Sequence, residues 1–323
     1  MKDHLHTLLR AGTRLLANSF PRNWFAMSVF VARALVKLCQ MVRIALVARI
    51  QSFPKEIPVW TLFFELLFSL VLLPQLQLEH LTESKRQLLM RRYGDLRVEA
   101  AMVLRKSWNE LKILQSMFVP KFVAQFLMLI LSKQPDVREI GVDMYWGVLL
   151  REIRENNSFK VVSARKNDSS FFVFKNKQTN KQTNKHKQTN KNKTKVGSAT
   201  IDNLDHLSSQ DDERHVDYAE FESFLLGSLR ERMELVEETK AEIAAVVEAF
   251  LAELASLLGL LREIKTLPVG PEYEEERILA TMQLMAYLRT TDRQATYIRY
   301  VAQLGEMLSE SGSFVEAALT LML

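Results

Sequence analysis

Proline placement sets the first limit on what this chain can fold into. Pro21, Pro54, Pro58, Pro74, Pro120, Pro135, Pro268 and Pro271 divide 323 residues into pieces of helical length. Each proline lacks a backbone donor and has a fixed φ, so helices begin at it or end before it. Between them, apolar residues recur three and four apart, and convincing period-two strand patterns are absent. The ten glycines fall mainly between the apolar runs. The expected fold is therefore all-α: stacked antiparallel helices of armadillo or solenoid type. No short repeat is visible among the helices, so the solenoid expectation rests on helix succession. A hydrophobic share of 48% suffices for a sizeable core, in one large domain or two ordinary ones.

Connections are short except at residues 163–198. There the stretch from Lys175 to Lys195 holds eight lysines, no acid, and no aliphatic or aromatic residue. Such a segment has almost nothing apolar to bury and is expected to be disordered. It also explains the formal charge of +5, because without it the chain carries 35 basic against 38 acidic residues. The basic character is thus expected to sit in one tract, and the remainder does not resemble a nucleic-acid binder.

A single long helix is predicted from Ser228 to Ile264. Ile243, Val247, Phe250, Leu254, Leu257, Leu261 and Ile264 follow a 4-3-4-3 heptad spacing. Val246, Leu251, Leu258 and Leu260 broaden that seam, which favours a helix packed among several neighbours over a free coiled coil. Pro268, Gly270 and Pro271 break the chain, and the acidic run Glu272–Glu276 opens the next helix, where negative charge suits the N-terminus. The apolar run Val59–Leu76 has membrane-like composition, but it is shorter than the roughly 20 residues a span needs. Glu65 near its middle would cost about 2.5–3.5 kcal/mol in a bilayer, so a buried helix is the better reading. Trp24, Trp60, Trp108 and Trp146 are expected in the core rather than at a binding surface.

The sequence offers little chemistry. Cys39 is alone, so no internal disulfide can form, and a reducing, cytosolic home is expected. His4 and His6 make only a weak metal signal, with solvent exposure the plainer reading. No secretory signal precedes Leu8 and Leu9. Phosphate-cradling glycine loops, a G-x-S-x-G elbow and an H-E-x-x-H pair are all missing. Carboxylates lie beside Arg and Lys on amphipathic helices, the pattern of a solvated face. No catalytic, cofactor-binding or metal position is expected, and on pattern alone this is a helical interaction protein.

Three stretches carry a resemblance. In Leu76–Leu111, Ser84-Lys85-Arg86 is followed by Tyr93-Gly94-Asp95, Arg97 and Trp108. A helix pair follows over Phe118–Ile153. The C-terminal run contains Tyr297-Ile298-Arg299-Tyr300 and then Phe314 to Leu321. In this order they resemble the DOCK (dedicator of cytokinesis) family of guanine-nucleotide exchange factors, and a weaker likeness extends through FPRNWFAMSVFVARALVKL. The resemblance implies an armadillo-like helical region over 1–162, continued over 199–267. It further implies the opening of the exchange region, DHR-2, over 268–323. The Tyr-Gly-Asp-x-Arg style is similar to the Rac-directed branches.

Nothing here resembles the family's SH3 or DHR-1 domains or the later lobes that meet the GTPase. The expected chain is therefore a fragment that contributes scaffold and is inactive alone. The resemblance implies a Rac/Rho-class small GTPase as partner, reached through lobes outside these residues. It admits a homo-oligomeric parent, a cytoplasmic location, and membrane contact only by peripheral recruitment to the plasma membrane. The alternative is a non-catalytic helical scaffold or adaptor.

Three origins remain open for the lysine tract. The Lys-Gln-Thr-Asn unit can be encoded by an AAAC repeat read in frame, and Val162-Ser163 by a splice-donor-like string, so the tract can be translated intron. It can also be a genuine linker, or an arm for nucleic acid or acidic lipid. Removing Ser163 to Val196 would restore a short connection that resembles the family's continuous sequence. The third origin lacks the aromatic or arginine side chains that stack on bases.

Overall fold

The protein is described from a computed structural model covering residues 2–17, 24–50, 53–156, 196, 199–200, 202–204, 218–235, 241–268, 270–290 and 294–322. Every regular element among them is helical. The lysine tract lies outside the described residues. The chain divides into two compact units, Met1–Leu150 and Arg151–Leu323.

The first unit contains α1 (Lys2–Ala17), α2 (Phe25–Val47), α3 (Phe53–Val71), α4 (Glu83–Tyr93), α5 (Leu96–Leu111), α6 (Val119–Ile130) and the first turns of α7 (Pro135–Asn156). Helix α3 is its centre, packing against α1, α2 and α5. This is the run with membrane-like composition, and its Trp60, Phe63, Phe64, Leu67 and Leu70 are fully buried. Aromatic rings lock it to its neighbours. Phe64 lies 5.5 Å from Trp108 of α5 and 5.9 Å from Phe122 of α6, and Trp108 lies 5.2 Å from Phe126. The three pairs meet edge to face, the arrangement aromatic quadrupoles favour. Glu65, the charge that argues against a membrane span, pairs with Lys121 Nζ at 2.5 Å. Two other helical stretches, α2 and Ala244–Thr266, are long and apolar enough to cross a membrane by length and composition alone, and 39% of each is buried inside the protein.

The second unit contains α8 (Tyr218–Glu234), α9 (Ala241–Thr266), α10 (Glu274–Thr290), α11 (Gln294–Glu310) and α12 (Phe314–Leu321). The single helix expected over Ser228–Ile264 is thus replaced by α8 and α9, with 236–240 outside the described residues. The heptad spacing begins only at Ile243, so it never required one continuous helix. Arg262 late in α9 pairs with Glu222 early in α8 at 3.0 Å, so the two run antiparallel. Val247, Phe250, Leu254, Leu257 and Leu261 are buried, as are the broadening residues Leu251 and Leu258. Leu257 and Leu261 share a core with Leu284 and Leu288 of α10, Val301 and Leu304 of α11 and Ala317 of α12. That core runs across the break at Pro268.

Val196, placed by sequence within the insert, is helical and buried. Its N–H donates to Glu152 Oε2 at 2.6 Å, and Thr200 Oγ1 donates back to the Val196 carbonyl. The last residues of the expected insert therefore include a fixed contact.

Candidate interaction surface

The Tyr93-Gly94-Asp95-x-Arg97 motif forms the joint between α4 and α5. Gly94 ends α4 at φ +71, a left-handed conformation in which a Cβ would be strained. Its N–H donates to the Met90 carbonyl at 3.1 Å. Asp95 then caps α5, with Oδ1 accepting from the Arg97 N–H at 2.9 Å. The Arg97 guanidinium is only 3% exposed, and donates to Glu79 Oε1 at 2.9 Å and Asp95 Oδ2 at 3.2 Å. Burial opposes its charge, but the bonds to Glu79 and Asp95 outweigh burial and hold its pKa above the ordinary arginine value. One side chain thereby ties α5 to the short 3-10 turn Leu78–His80. Trp108 of the same stretch belongs to the aromatic core.

Ser84, Lys85 and Arg86 stand exposed on α4, a helix that buries none of its described residues. At its end, the Tyr93 ring has Arg33 of α2 at 5.5 Å and Arg92 at 5.6 Å. Helix α2 shows two faces. Val29, Ala32, Val36, Cys39 and Leu46 point into the core, while Phe30, Met41 and Ile44 are each 63% exposed. Trp60, Trp108 and Trp146 are buried, but Trp24 is 52% exposed, contrary to expectation. It stands at the N-cap of α2, ahead of the first turn, where the helix has not yet directed a face inward.

In the second unit, Tyr300 is buried with Arg299 over its ring at 5.3 Å. Burial pushes its phenol up, against the opposing pull of Arg299. Helix α12 packs closely on α11, since a Cβ at Gly305 would meet Leu321 at 2.9 Å. Phe314, Val315 and Leu319 of α12, and Met322 just after it, are 61–85% exposed. Among the described residues no group of three or more His, Cys, Asp or Glu side chains is placed to hold a metal.

One signal was missed in the sequence. Its overall charge conceals a local imbalance: from His4 to Lys55 there are eight Arg and Lys residues and no carboxylate. The expectation that basic character sits in one tract is therefore corrected. The first two helices share it, and they lie where the exposed apolar residues are.

The α4–α5 joint and the aromatic core around Trp108 sit within a region that matches a known family. Residues 4–170 match the dedicator of cytokinesis (DOCK) TPR region. The chain belongs to the DOCK family. Over 307 residues it is 26% identical to dedicator of cytokinesis protein 3 of Homo sapiens, and over 305 residues 23% identical to dedicator of cytokinesis protein 4 of Homo sapiens. These alignments cover 94% of this chain but 13% of each relative, so the chain spans about an eighth of the length of the DOCK proteins it matches. The TPR description agrees with the all-α, stacked-helix expectation.

Proposed function

We propose that this chain is the helical scaffold of a DOCK-type guanine-nucleotide exchange factor acting on a Rac/Rho-class small GTPase. Residues 268–323 open its DHR-2 region in this reading. The parent is cytoplasmic and is recruited peripherally to the plasma membrane. The supporting observation is how the family-like motif is used. Gly94, Asp95, Arg97 and Trp108 are engaged in a helix joint and a core, which is the work of a scaffold. Exchange requires a surface that favours the nucleotide-depleted GTPase over the loaded one. Such a surface belongs to lobes outside these residues.

The test is release of a fluorescent nucleotide from a purified Rac-type GTPase. The chain alone is expected to leave the release rate at its intrinsic value. Acceleration in proportion to added chain would overturn this reading and move catalysis into these helices. A free-standing adaptor is the second reading, favoured by the exposed apolar faces of α2 and α12. Transcript sequencing separates the two: an open frame encoding the later lobes supports the exchange factor, and unrelated sequence supports the adaptor.

A further inference from the structure

Helix α2 carries a second seam on its outer side. Met27, Phe30, Ala34, Lys37, Met41 and Ile44 recur at 3-4-3-4-3 spacing, and all are exposed. Ala48 continues the series just past the helix end. From Met27 to Ile44 the stripe runs about 26 Å at 1.5 Å per residue. The inner face is already occupied by core contacts, so this spacing is not needed for folding of the first unit. Apolar side chains every 3.5 residues are what one helix presents to another. Ala34 and Ala48 leave gaps between the large side chains, and gaps of that kind receive a partner's side chains.

The surroundings give the partner its charge. The sequence has no carboxylate between His4 and Lys55, and Glu99 of α5 and Glu56 of α3, which reach α2 and its C-terminal end, are engaged by Gln40 and Arg49, each at 2.8 Å. Lys37 stands within the stripe and Arg33 beside it, touching Tyr93 at the end of α4. Helix α4 adds Lys85, Arg86, Arg91 and Arg92 against Glu83. It has 11 residues and buries none of those described, and isolated helices of this length are marginal in water.

We propose that the outer face of α2, with α4 at its side, is a docking site for an acidic amphipathic helix of a separate protein. That helix would carry large apolar residues at three- and four-residue spacing, flanked by Glu or Asp. A second α2 does not fit. A two-fold pairing of the stripe centres on Lys37 and would set like charges together. A lipid surface fits less well, because Ala34 and Lys37 interrupt the apolar face that a membrane would bury. The proposal stands on α2 and α4 and does not depend on the GTPase reading.

The probe is a pair of designed helical peptides with the same leucine stripe, one flanked by Glu and one by Lys. Binding to the chain is followed by fluorescence anisotropy. The Glu peptide is expected to bind about tenfold or more tightly than the Lys peptide, and to weaken as salt rises. Met41→Asp with Ile44→Asp should abolish binding while circular dichroism is unchanged. Lys37→Glu, a milder surface change, should shift preference toward the Lys peptide. Equal affinity for the two peptides, absence of binding, or binding that survives Met41→Asp with Ile44→Asp would overturn the proposal. So would co-sedimentation with phosphatidylserine-containing vesicles through the same stripe while neither peptide binds.

Discussion

Arg97 and Cys39 are the two side chains whose burial has the clearest consequences. Removing the Arg97 guanidinium takes from Glu79 and Asp95 the buried cation they share. Arg97→Met is expected to destabilise the first unit by about 3–5 kcal/mol, the cost of stranding buried charge. Arg105→Ala is the control. Its partner Asp143, 3.2 Å away, is partly exposed, and surface pairs contribute less than about 1 kcal/mol. Urea titration of both variants checks this, and equal small losses would show that the joint does not depend on Arg97. At Cys39, burial pushes the thiol up from 9.0 to about 12. The neutral thiol is favoured by the fold, so the folded state holds a proton that the unfolded chain releases above about pH 9. The resulting stability is fully present below that pH and is lost as pH rises toward 12, by about 1.4 kcal/mol per pH unit. Cys39→Ala should start slightly less stable and lack that part of the alkaline slope. Parallel curves for the two proteins in urea titrations from pH 8 to 11 would show that Cys39 is not the cause.

At the level of elements, close helix contacts separate glycines that look alike in sequence. A Cβ at Gly141 of α7 would meet Leu129 Cβ at 2.8 Å and the Ile130 nitrogen at 3.0 Å, whereas one at Gly147 meets nothing within 4 Å. Gly141→Ala is therefore expected to cost about 1–3 kcal/mol through overpacking. Gly147→Ala, on an exposed helical face, should gain about 0.5–1 kcal/mol. Thermal melts of the two variants should shift in opposite directions, and a shared direction would contradict the α6–α7 approach. Proline placement and three-four spacing made the all-α fold legible, because both act within one helix turn, although Pro58, expected at a helix boundary, lies inside α3. The buried run of α3 was legible for the same reason. The Ser228–Ile264 helix was misjudged because a heptad seam starting at Ile243 says nothing about the residues before it. The α4–α5 joint was visible as a motif but not as a mechanism. Arg97 reaches Glu79, 18 positions back, and that meeting depends on how the turn Leu78–His80 folds. The outer stripe of α2 was present in the sequence as well. It was hidden because an apolar helix with two apolar faces looks like a core helix until its neighbours are known.

For the whole molecule, the connection between α7 and the helical residues near Val196 is the point at which sequence and structure can be tested together. Glu152 accepts a hydrogen bond from the Val196 N–H at 2.6 Å, which fixes Val196 within one side chain's reach of α7. If residues 163–195 are deleted, residues 157–162 remain to join Asn156 to Val196. Seven peptide links can span about 24 Å when extended, far more than that separation needs. The deleted stretch includes the lysine tract, whose composition offers almost no apolar burial, and its large apolar side chains are confined to Phe171, Phe172, Val173 and Phe174, so little folding energy is at stake. The shorter protein is expected to melt within about 2 °C of the parent, a shift of about 1 kcal/mol at most for a chain of this size. Extending the deletion to Ser198 also removes buried Val196, the acceptor for Thr200 and the donor to Glu152. That variant should lose about 1–3 kcal/mol, from lost burial of Val196 and from the two hydrogen bonds it makes with Glu152 and Thr200. The two deletions differ by three residues, so calorimetry on the pair isolates the Val196 contact from the tract. Equal melting temperatures would show that the contact contributes nothing, and a large loss in the shorter deletion would show that the tract itself stabilises the fold.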